Sequence, residues 1–372
     1  MKDELAETLL SKVMGWSVAE KARERAFLQD FARYKYDEYQ QFAPGRRFIE
    51  SLALWLRQFK TVEERRTAYA FIRNRLIFIS NAEMRRLVEL AFPTIIRPRL
   101  IEKAAATAGL SPLRPKAVIG STDYKALVRR CLVLGLSDGA RTDIFRRANP
   151  QHFNNEQISH NYEISRTKAA DMQKKLRTHL AAILGATPTD EQARFECVLL
   201  LDDFTASGTS YLRPDAEEEW KGKIWRVVQM LGNGGELSNL IVEHDAHIMV
   251  VLYVAAQQAI AHIRNFLQQI PFPRGRIELE IVHPLPLSTP LDDAKDADIL
   301  AIARASDYFD PAVDDEHGAV GGGSKQLGYA DCRLPLVLSH NTPNNSIFLL
   351  WGAESHTFRG LFPRVDRHRR ID

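Results

Sequence analysis

The sequence has few cysteines, a small net charge and no apolar run of membrane-spanning length. Its 3 cysteines, Cys131, Cys197 and Cys332, lie far apart, which excludes a disulfide framework and the close spacing that a metal site needs. The N-terminus shows no signal-peptide pattern. We therefore expect reduced core thiols in a cytoplasmic protein with no membrane partner.

The formal net charge is only +3, which by itself gives no indication of nucleic-acid binding. The charge is unevenly distributed, because residues 1–112 carry a net charge of about +6. Adjacent arginines supply the excess at Arg46-Arg47, Arg65-Arg66 and Arg85-Arg86. They indicate either a contact face for RNA, DNA or an acidic protein, or a solvated helix face. The interleaved acids favour the solvated face.

The length of 372 residues and the apolar content of 45% predict a globular chain with two domains. Residues 1–112 have apolar residues at helical spacing, which predicts an all-helical N-terminal region. Residues 117–372 are expected to form an α/β domain with C-terminal hood and tail elements. Ser111–Lys116, with two prolines, is the expected linker. In Gly318–Lys325 the serine precedes the lysine, so this stretch predicts a flexible loop and not a P-loop.

The stretch Val198–Tyr211 (VLLLDDFTASGTSY) places acidic and small residues directly after an apolar run. Val198–Leu201 predicts a short buried strand, and Asp202 and Asp203 follow it. The next residues are small, hydroxylated or flexible: Thr205, Ala206, Ser207, Gly208, Thr209 and Ser210. At the carboxyl end of a strand, such a loop turns its backbone N–H groups outward and forms an anion nest. Paired carboxylates suit the vicinal hydroxyls of a sugar, so the stretch predicts a ribose 5-phosphate site.

This stretch resembles the phosphoribosyl-diphosphate (PRPP) motif of type I phosphoribosyltransferases. The resemblance implies catalytic Asp202 and Asp203 on the ribose hydroxyls, with Ala206–Ser210 around the 5-phosphate. The sequence departs from the motif at Thr209, where many members have a second glycine, and at Ser210, where they have threonine. Both changes keep a small polar side chain. The alternative interpretation is a buried strand that ends in an acidic turn.

A second apolar run, Cys131–Leu136, also predicts a strand that ends in a turn of small residues. The turn and the residue after it are Ser137, Asp138, Gly139, Ala140 and Arg141, and a helix is expected to continue to Ala148. A strand followed by a small-residue turn and a helix presents unpaired N–H groups to an anion. The resemblance implies that this loop holds the pyrophosphate of PRPP, with Arg141 as a nearby cation. An ordinary Asp-Gly turn is the alternative.

The polar stretch Asn149–Glu163 lies between these two loops in the sequence. In the family a mobile loop covers PRPP in this interval, so the resemblance implies a lid that carries His152 and His160. Isolated histidines in a loop are more often surface residues than acid–base groups. Ser165 is expected to cap a long helix to about Leu184, and Glu217–Leu231 to form another helix.

Apolar runs alternate with helical patterns from Ala126 to Val282, which predicts an α/β fold with a parallel sheet. The N-terminal helices, the SDGAR turn, the PRPP-like motif and the late HNTPNNS pattern together resemble the PRTase-CE branch of the phosphoribosyltransferase-like proteins. That branch occurs in bacterial conflict and anti-phage gene clusters, including retrons. The resemblance implies an antiviral defence effector with a reverse transcriptase–RNA/DNA complex as its partner.

Three functions remain open at this point. The first is a transferase that uses PRPP and Mg²⁺, in which the ion bridges pyrophosphate and ribose oxygens. The second is a catalytically inactive module that binds PRPP or a nucleotide. The third is a toxin enzyme that degrades nucleotides. The sequence identifies no acceptor base, and it is compatible with a homo-oligomer.

Overall fold

The computed structural model describes residues 3–314 and 321–364. Three residues of the expected loop Gly318–Lys325, at positions 318–320, and the C-terminal residues 365–372 therefore lie outside the described residues. The chain divides into two compact units, of which the first combines residues 1–83 and 286–372 and the second comprises residues 84–285.

The α-helices, numbered in chain order, are α1 Asp3–Met14, α2 Val18–Tyr34, α3 Phe48–Leu56, α4 Val62–Asn74, α5 Asn81–Leu90, α6 Arg97–Ala108, α7 Pro115–Gly120, α8 Thr122–Arg129, α9 Thr142–Ala148, α10 Arg166–Leu184, α11 Lys223–Leu231, α12 Gln257–Leu267, α13 Ala297–Arg304 and α14 Phe348–Trp351. The strands are β1 Ile77–Ile79, β2 Cys131–Gly135, β3 Ile158–Ser159, β4 Cys197–Thr205, β5 Arg213–Pro214, β6 Trp220–Lys221, β7 Ala246–Ala255, β8 Gly275–Pro284 and β9 Leu336–Leu338.

The first unit packs N-terminal helices against the C-terminal part of the chain. Capping boxes at Ser17 and Thr61 begin α2 and α4 by satisfying free backbone N–H groups. The indole of Trp55 donates to the carbonyl oxygen of Leu349 at 2.8 Å. The hydroxyl of Tyr39 donates to the carbonyl oxygen of Phe362 at 3.1 Å, and β1 pairs in parallel with β9. One apolar core therefore joins the two ends of the chain.

These boundaries differ from the expected division into 1–112 and 117–372. The C-terminal segment from Leu291 to Phe362 contributes buried residues to the same core as the first helices, and α6 belongs to the second unit. Lys103 on α6 binds Glu196 at 3.0 Å, at the entry to β4. The expected linker Ser111–Lys116 lies inside the second unit and runs into α7. Among the arginine pairs, Arg85 binds Glu89 along α5 at 3.1 Å, as expected of a solvated helix face.

The second unit is built on a five-stranded parallel sheet with the order β3-β2-β4-β7-β8. The strands β2 and β7 are buried along their whole length, which explains their continuous apolar sequences. If the five strands of this sheet are numbered 1 to 5 along the chain, their order across the sheet is 2-1-3-4-5. The expected α/β fold with a parallel sheet, preceded by helices, is confirmed.

The helix expected at Glu217–Leu231 begins only at Lys223. The preceding residues form the short antiparallel hairpin of β5 and β6. Gly222 ends the hairpin with φ 117°, and a Cβ there would lie 2.4 Å from the carbonyl oxygen of Tyr211. Only glycine fits this close, left-handed position, so the chain turns before the helix can start. The helix expected after Ser165 forms as α10, and the Ser165 hydroxyl accepts from the backbone N–H of Lys168.

The segment expected to be a mobile lid, Asn149–Glu163, is anchored to the sheet. Phe153 is buried, and the fully buried side-chain amide of Gln157 donates to the carbonyl oxygens of Val128 and Cys131, both at 2.9 Å. The next residues form β3 at the edge of the sheet. A two-residue strand between polar segments has too few side chains for a periodic pattern.

The histidines of this segment also have structural contacts. The ring of His152 lies 4.6 Å from that of Phe92, and burial lowers the pKa of His152, an effect that the nearby Arg97 increases. Nδ1 of His160 lies 2.6 Å from the hydroxyl of Thr142.

All three cysteines are buried thiols. Cys131 and Cys197 are register partners on β2 and β4, and Cys332 belongs to the first unit. Burial raises the pKa of Cys131 well above its ordinary value and raises the pKa of Cys332 to about 12. The expectation of core thiols is therefore confirmed.

Candidate functional site

The strand that carries the PRPP-like motif is longer than the sequence predicts. β4 runs on through both aspartates because β7 continues beside it, and the pairing extends to Thr205 opposite Ala255. Successive side chains of a strand point to opposite faces. Asp202 and Asp203 therefore lie on opposite sides of the sheet and have different surroundings.

Asp202 is fully buried and has three side-chain partners. Its Oδ2 accepts from the Tyr211 hydroxyl at 2.6 Å and from Lys223 Nζ at 2.8 Å, and its Oδ1 accepts from the Ser137 hydroxyl. Burial, followed by the charge of Asp203, raises the pKa of Asp202, whereas Lys223 lowers it. The carboxylate is thus satisfied within the protein and ties three segments together.

Asp203 is only half-buried and lies against the turn after β2. Its Oδ1 accepts from the backbone N–H of Phe204 at 2.8 Å. A Cβ on Gly139 would lie 2.2 Å from Asp203 Oδ2, so the backbone of the turn approaches the carboxylate as closely as a glycine allows. The structure therefore brings together one carboxylate of the motif and the turn expected to hold pyrophosphate.

The small-residue loop after β4 is tightly folded at its start and open at its end. Thr205, Ala206, Ser207 and Gly208 are buried, whereas Thr209 is half-buried and Ser210 is exposed. The backbone N–H of Gly208 donates to the Thr205 hydroxyl at 3.2 Å, and the hydroxyls of Ser207 and Thr209 lie 3.1 Å apart.

Gly208 fixes this loop against helix α12. It has φ 81°, and a Cβ would lie 3.1 Å from the carbonyl oxygen of Ala259. The requirement for glycine here is therefore both conformational and steric.

The turn after β2 is held by side chains from other strands. The Ser137 hydroxyl accepts from the backbone N–H of Gly139 and donates to Asp202. The carbonyl oxygen of Ala140 accepts from the Tyr253 hydroxyl on β7 at 2.7 Å. Asp138 is exposed, and Arg141 adopts a left-handed conformation with φ 47° immediately before α9. A non-glycine residue in this conformation is strained, and such strain concentrates at functional sites.

Sequence reasoning missed Tyr211, Lys223 and Tyr253. Tyr211 is the last residue of the motif stretch, and no role was expected for its hydroxyl. Burial raises the pKa of Tyr211 well above its ordinary value. Lys223 is 21 positions from Asp202 and fell within a predicted helix, so no local pattern joins the two. Tyr253 lies inside an apolar strand, and its hydroxyl partner is 113 positions away.

The two loops meet at the point where the strand order reverses. β2 and β4 are neighbours in the sheet, but β3 lies on the other side of β2, so the connections leave in opposite directions. In open α/β sheets, ligands bind outside the carboxyl ends of the strands at this switch point. The second unit is therefore a doubly wound α/β fold, and Ser137–Arg141 and Asp202–Ser210 lie at its switch point; the space between these two loops is called the crevice.

The model of the PRTase-CE family matches residues 52–364. The chain belongs to the PRTase-CE family, as the resemblance of its motifs implied. No curated protein matches the chain, and no solved structure matches it. None of the helices in residues 3–314 and 321–364 combines the length and the apolar composition that a membrane crossing requires.

Proposed function

We propose that the crevice binds PRPP or a related 5-phosphoribosyl nucleotide. The observation that carries this proposal is the contact between Gly139 and Asp203, because it joins the two predicted loops around one carboxylate. The loop Thr205–Ser210 would hold the 5-phosphate, and Ser137–Arg141 would hold pyrophosphate. Asp203 would accept hydrogen bonds from the ribose hydroxyls.

The division of roles between the two aspartates refines the implied mechanism. Asp202 is engaged by Lys223, Tyr211 and Ser137, so we assign it to positioning of the loops. Asp203 would hold the ribose while C1 gains positive character, the bond to pyrophosphate breaks and a bond from an acceptor base to C1 forms. Backbone N–H groups and Arg141 would then stabilise the charge that develops on the leaving group.

The implied Mg²⁺ fits a site in which the substrate supplies most of the ligands. Within the described ranges there is no cluster of three or more His, Cys, Asp or Glu side chains that could hold a metal ion. Asp203 is the half-exposed carboxylate at the crevice and would be the contribution of the protein. When bound, the ion would offset the negative charge of the pyrophosphate.

A noncatalytic nucleotide-binding module is the second candidate. It is favoured by the burial of Asp202, because the resemblance implied two carboxylates on the ribose and one of these two is buried among partners within the protein. The two candidates share the binding site and differ in turnover.

The biological setting that we propose rests on family membership. A PRTase-CE protein would act as an effector in bacterial anti-phage defence, in the cytoplasm, beside a retron reverse transcriptase and its RNA/DNA. The effector could then consume PRPP or nucleotides as a toxin. Nucleotide profiling of cells that express the wild type or Asp203→Asn tests this, because equal profiles in both would contradict a nucleotide-consuming effector.

Calorimetric titration of the full chain with PRPP and Mg²⁺ tests the binding proposal. Asp203→Asn is expected to weaken binding at least tenfold, which is about 1.4 kcal/mol. Asp171→Asn is the matched control, since Asp171 lies on α10 and pairs with Lys175 at 2.9 Å. Equal affinity of wild type and Asp203→Asn would contradict the proposal. Release of pyrophosphate from PRPP would favour the transferase over the module.

A further inference from the structure

The second unit contains a cavity of about 900 Å³ beside the end of the small-residue loop. The hairpin of β5 and β6 and the first turns of α11 form its walls. Its lining includes two tryptophans and several cations, and the residues used here are Ser210, Arg213, Trp220, Lys223, Trp225 and Arg226. A volume of this size can hold a nucleotide.

The cavity begins where the proposed 5-phosphate loop ends. Ser210 belongs to both, and its carbonyl oxygen accepts from the backbone N–H of Lys223 at 3.1 Å. Arg213 donates to the carbonyl oxygen of Thr209 at 2.9 Å, so its guanidinium is fixed next to the loop. A ligand phosphate in the loop would therefore lie next to the cavity, because Ser210 borders both.

The cavity has the chemistry of a second nucleotide subsite. Arg213 has five N–H donors, and the hydrogen bond to Thr209 uses one of them. The guanidinium therefore has further donors for a phosphate. The exposed Arg226 donates to the Tyr162 hydroxyl at 3.4 Å and offers a second guanidinium. Guanidinium groups match phosphate oxygens in geometry and charge.

The two tryptophans add an aromatic surface. Trp220 packs edge-on against Phe266, with ring centroids 5.7 Å apart, which holds its ring in place. Trp225 is half-buried on α11 and also lines the cavity. Indole rings stack on nucleobases of any type.

Lys221 contributes less positive charge to this cavity than its position suggests. Its Nζ lies 3.0 Å from Glu219 and 3.3 Å from Asp215, both of which also line the cavity. These acids offset Lys221, and their own charge disfavours an anion at the hairpin end. The phosphates are therefore expected near Arg213 and Arg226, and the base near the tryptophans.

We propose that this cavity binds a second nucleotide, joined through a pyrophosphate link to the 5-phosphate of the ribose in the crevice. The ligand class is thus a 5′–5′ dinucleotide, and the inference rests on the proposed phosphoribosyl site. In PRPP the 5-phosphate is terminal and requires no room beyond its loop. The cavity next to the loop offers guanidinium groups and indole rings. These groups suit a ligand whose 5-phosphate is linked to a second nucleotide.

Titration of the full chain with ADP-ribose and ribose 5-phosphate tests the inference, because the second compound is a fragment of the first. ADP-ribose is expected to bind at least about tenfold more tightly, through its added phosphate and base. Trp225→Ala and Arg226→Gln should each remove most of this gain. Arg264→Gln is the charge-matched control, since Arg264 is exposed on α12 and does not line the cavity. Arg226→Gln lies on the surface and keeps the test valid if Trp225→Ala does not fold.

The outcomes separate this inference from the proposed function. Binding of ribose 5-phosphate that depends on Asp203, without any gain for ADP-ribose, would overturn the dinucleotide inference and leave the phosphoribosyl site intact. A gain that survives in both cavity variants would also overturn it. ATP provides the remaining comparison, because it extends the 5-phosphate without a second base. ATP binding as tight as ADP-ribose would show that the cavity takes a polyphosphate, which contradicts the second base.

Discussion

Lys223 Nζ lies 2.8 Å from Asp202 Oδ2, so the first aspartate of the motif is neutralised by a lysine on the following helix. The same ammonium lies 4.9 Å from the centroid of the Tyr211 ring. A fully buried carboxylate is costly without such partners. The pair therefore holds the small-residue loop against α11, whereas Asp203 stays half-buried beside Gly139.

Substitution of the two aspartates one at a time should separate stability from binding. Asp202→Asn leaves Lys223 without its partner and is expected to lower the free energy of unfolding by about 1–3 kcal/mol. Asp203→Asn should leave the unfolding temperature nearly unchanged and weaken PRPP binding. Thermal unfolding and calorimetry of both variants measure this. Loss of PRPP affinity in a fully stable Asp202→Asn protein would contradict the assignment.

The pKa of Asp202 should depend on the charge of Lys223. Burial raises the pKa of Asp202, and Lys223 opposes the increase, so Lys223→Met is expected to raise this pKa further. Carboxyl carbon-13 NMR of Asp-labelled protein, assigned with Asp202→Asn, measures the midpoint. Because the pKa is raised on folding, the associated stabilisation is present at pH below the ordinary carboxyl range and is lost as the pH rises through the raised pKa. A lower midpoint in Lys223→Met would contradict this sign.

A single methyl group at the turn after β2 should disturb the crevice. In Gly139→Ala the added Cβ would overlap the Asp203 carboxylate, so we expect at least a tenfold loss of PRPP affinity. Gly120→Ala is the control, because a Cβ there has no heavy atom within 4 Å. Calorimetry of both proteins gives the comparison. Equal affinities would show that the turn and Asp203 do not share a ligand.

The segment once expected to be a lid should exchange slowly without any ligand. Gln157→Ala removes the two side-chain donors to Val128 and Cys131 and should destabilise the protein by about 1–3 kcal/mol. Asn155→Ala, at an exposed neighbouring position, should have little effect. Hydrogen exchange at residues 157–159 measures the anchoring directly. Rapid exchange in the free protein would restore the lid interpretation.

Truncation should follow the compact units and not the expected linker. Residues 80–285 retain the Ser80 cap of α5 and the contact of Lys103 with Glu196, so this fragment is expected to unfold cooperatively. Residues 117–372 lack Lys103 and also Tyr39, the partner of Phe362. Circular dichroism and thermal unfolding of both fragments check this. A sharper or higher transition for 117–372 would favour the original division.

The sequence was sufficient for features that depend on local patterns. Apolar runs located four of the five strands of the parallel sheet, all except the two-residue β3, and Ser165 located the start of α10. The SDGAR turn and the small-residue loop were each expected after a strand, and they follow β2 and β4. The parallel direction of the strands was also predictable, because a helical pattern separates each predicted strand from the next.

Features that depend on distant partners were not predictable. The extension of β4 through Asp203 requires β7 beside it, and the hairpin before α11 requires the close approach of Gly222 to Tyr211. The packing of Trp55 on Leu349 joins positions 294 apart, so no local pattern could include the C-terminal segment in the first unit. The burial of Asp202 likewise follows from tertiary contacts and not from its neighbours in the motif.

The three buried cysteines give each compact unit its own chemical reporter. A thiol reagent can modify Cys332 only when the first unit opens, and Cys131 or Cys197 only when the central strands of the second unit separate. Pulsed alkylation followed by mass spectrometry would therefore measure the opening free energy of the two units within a single sample. Ligand-dependent protection confined to Cys131 and Cys197 would locate stabilisation in the second unit without any engineered probe.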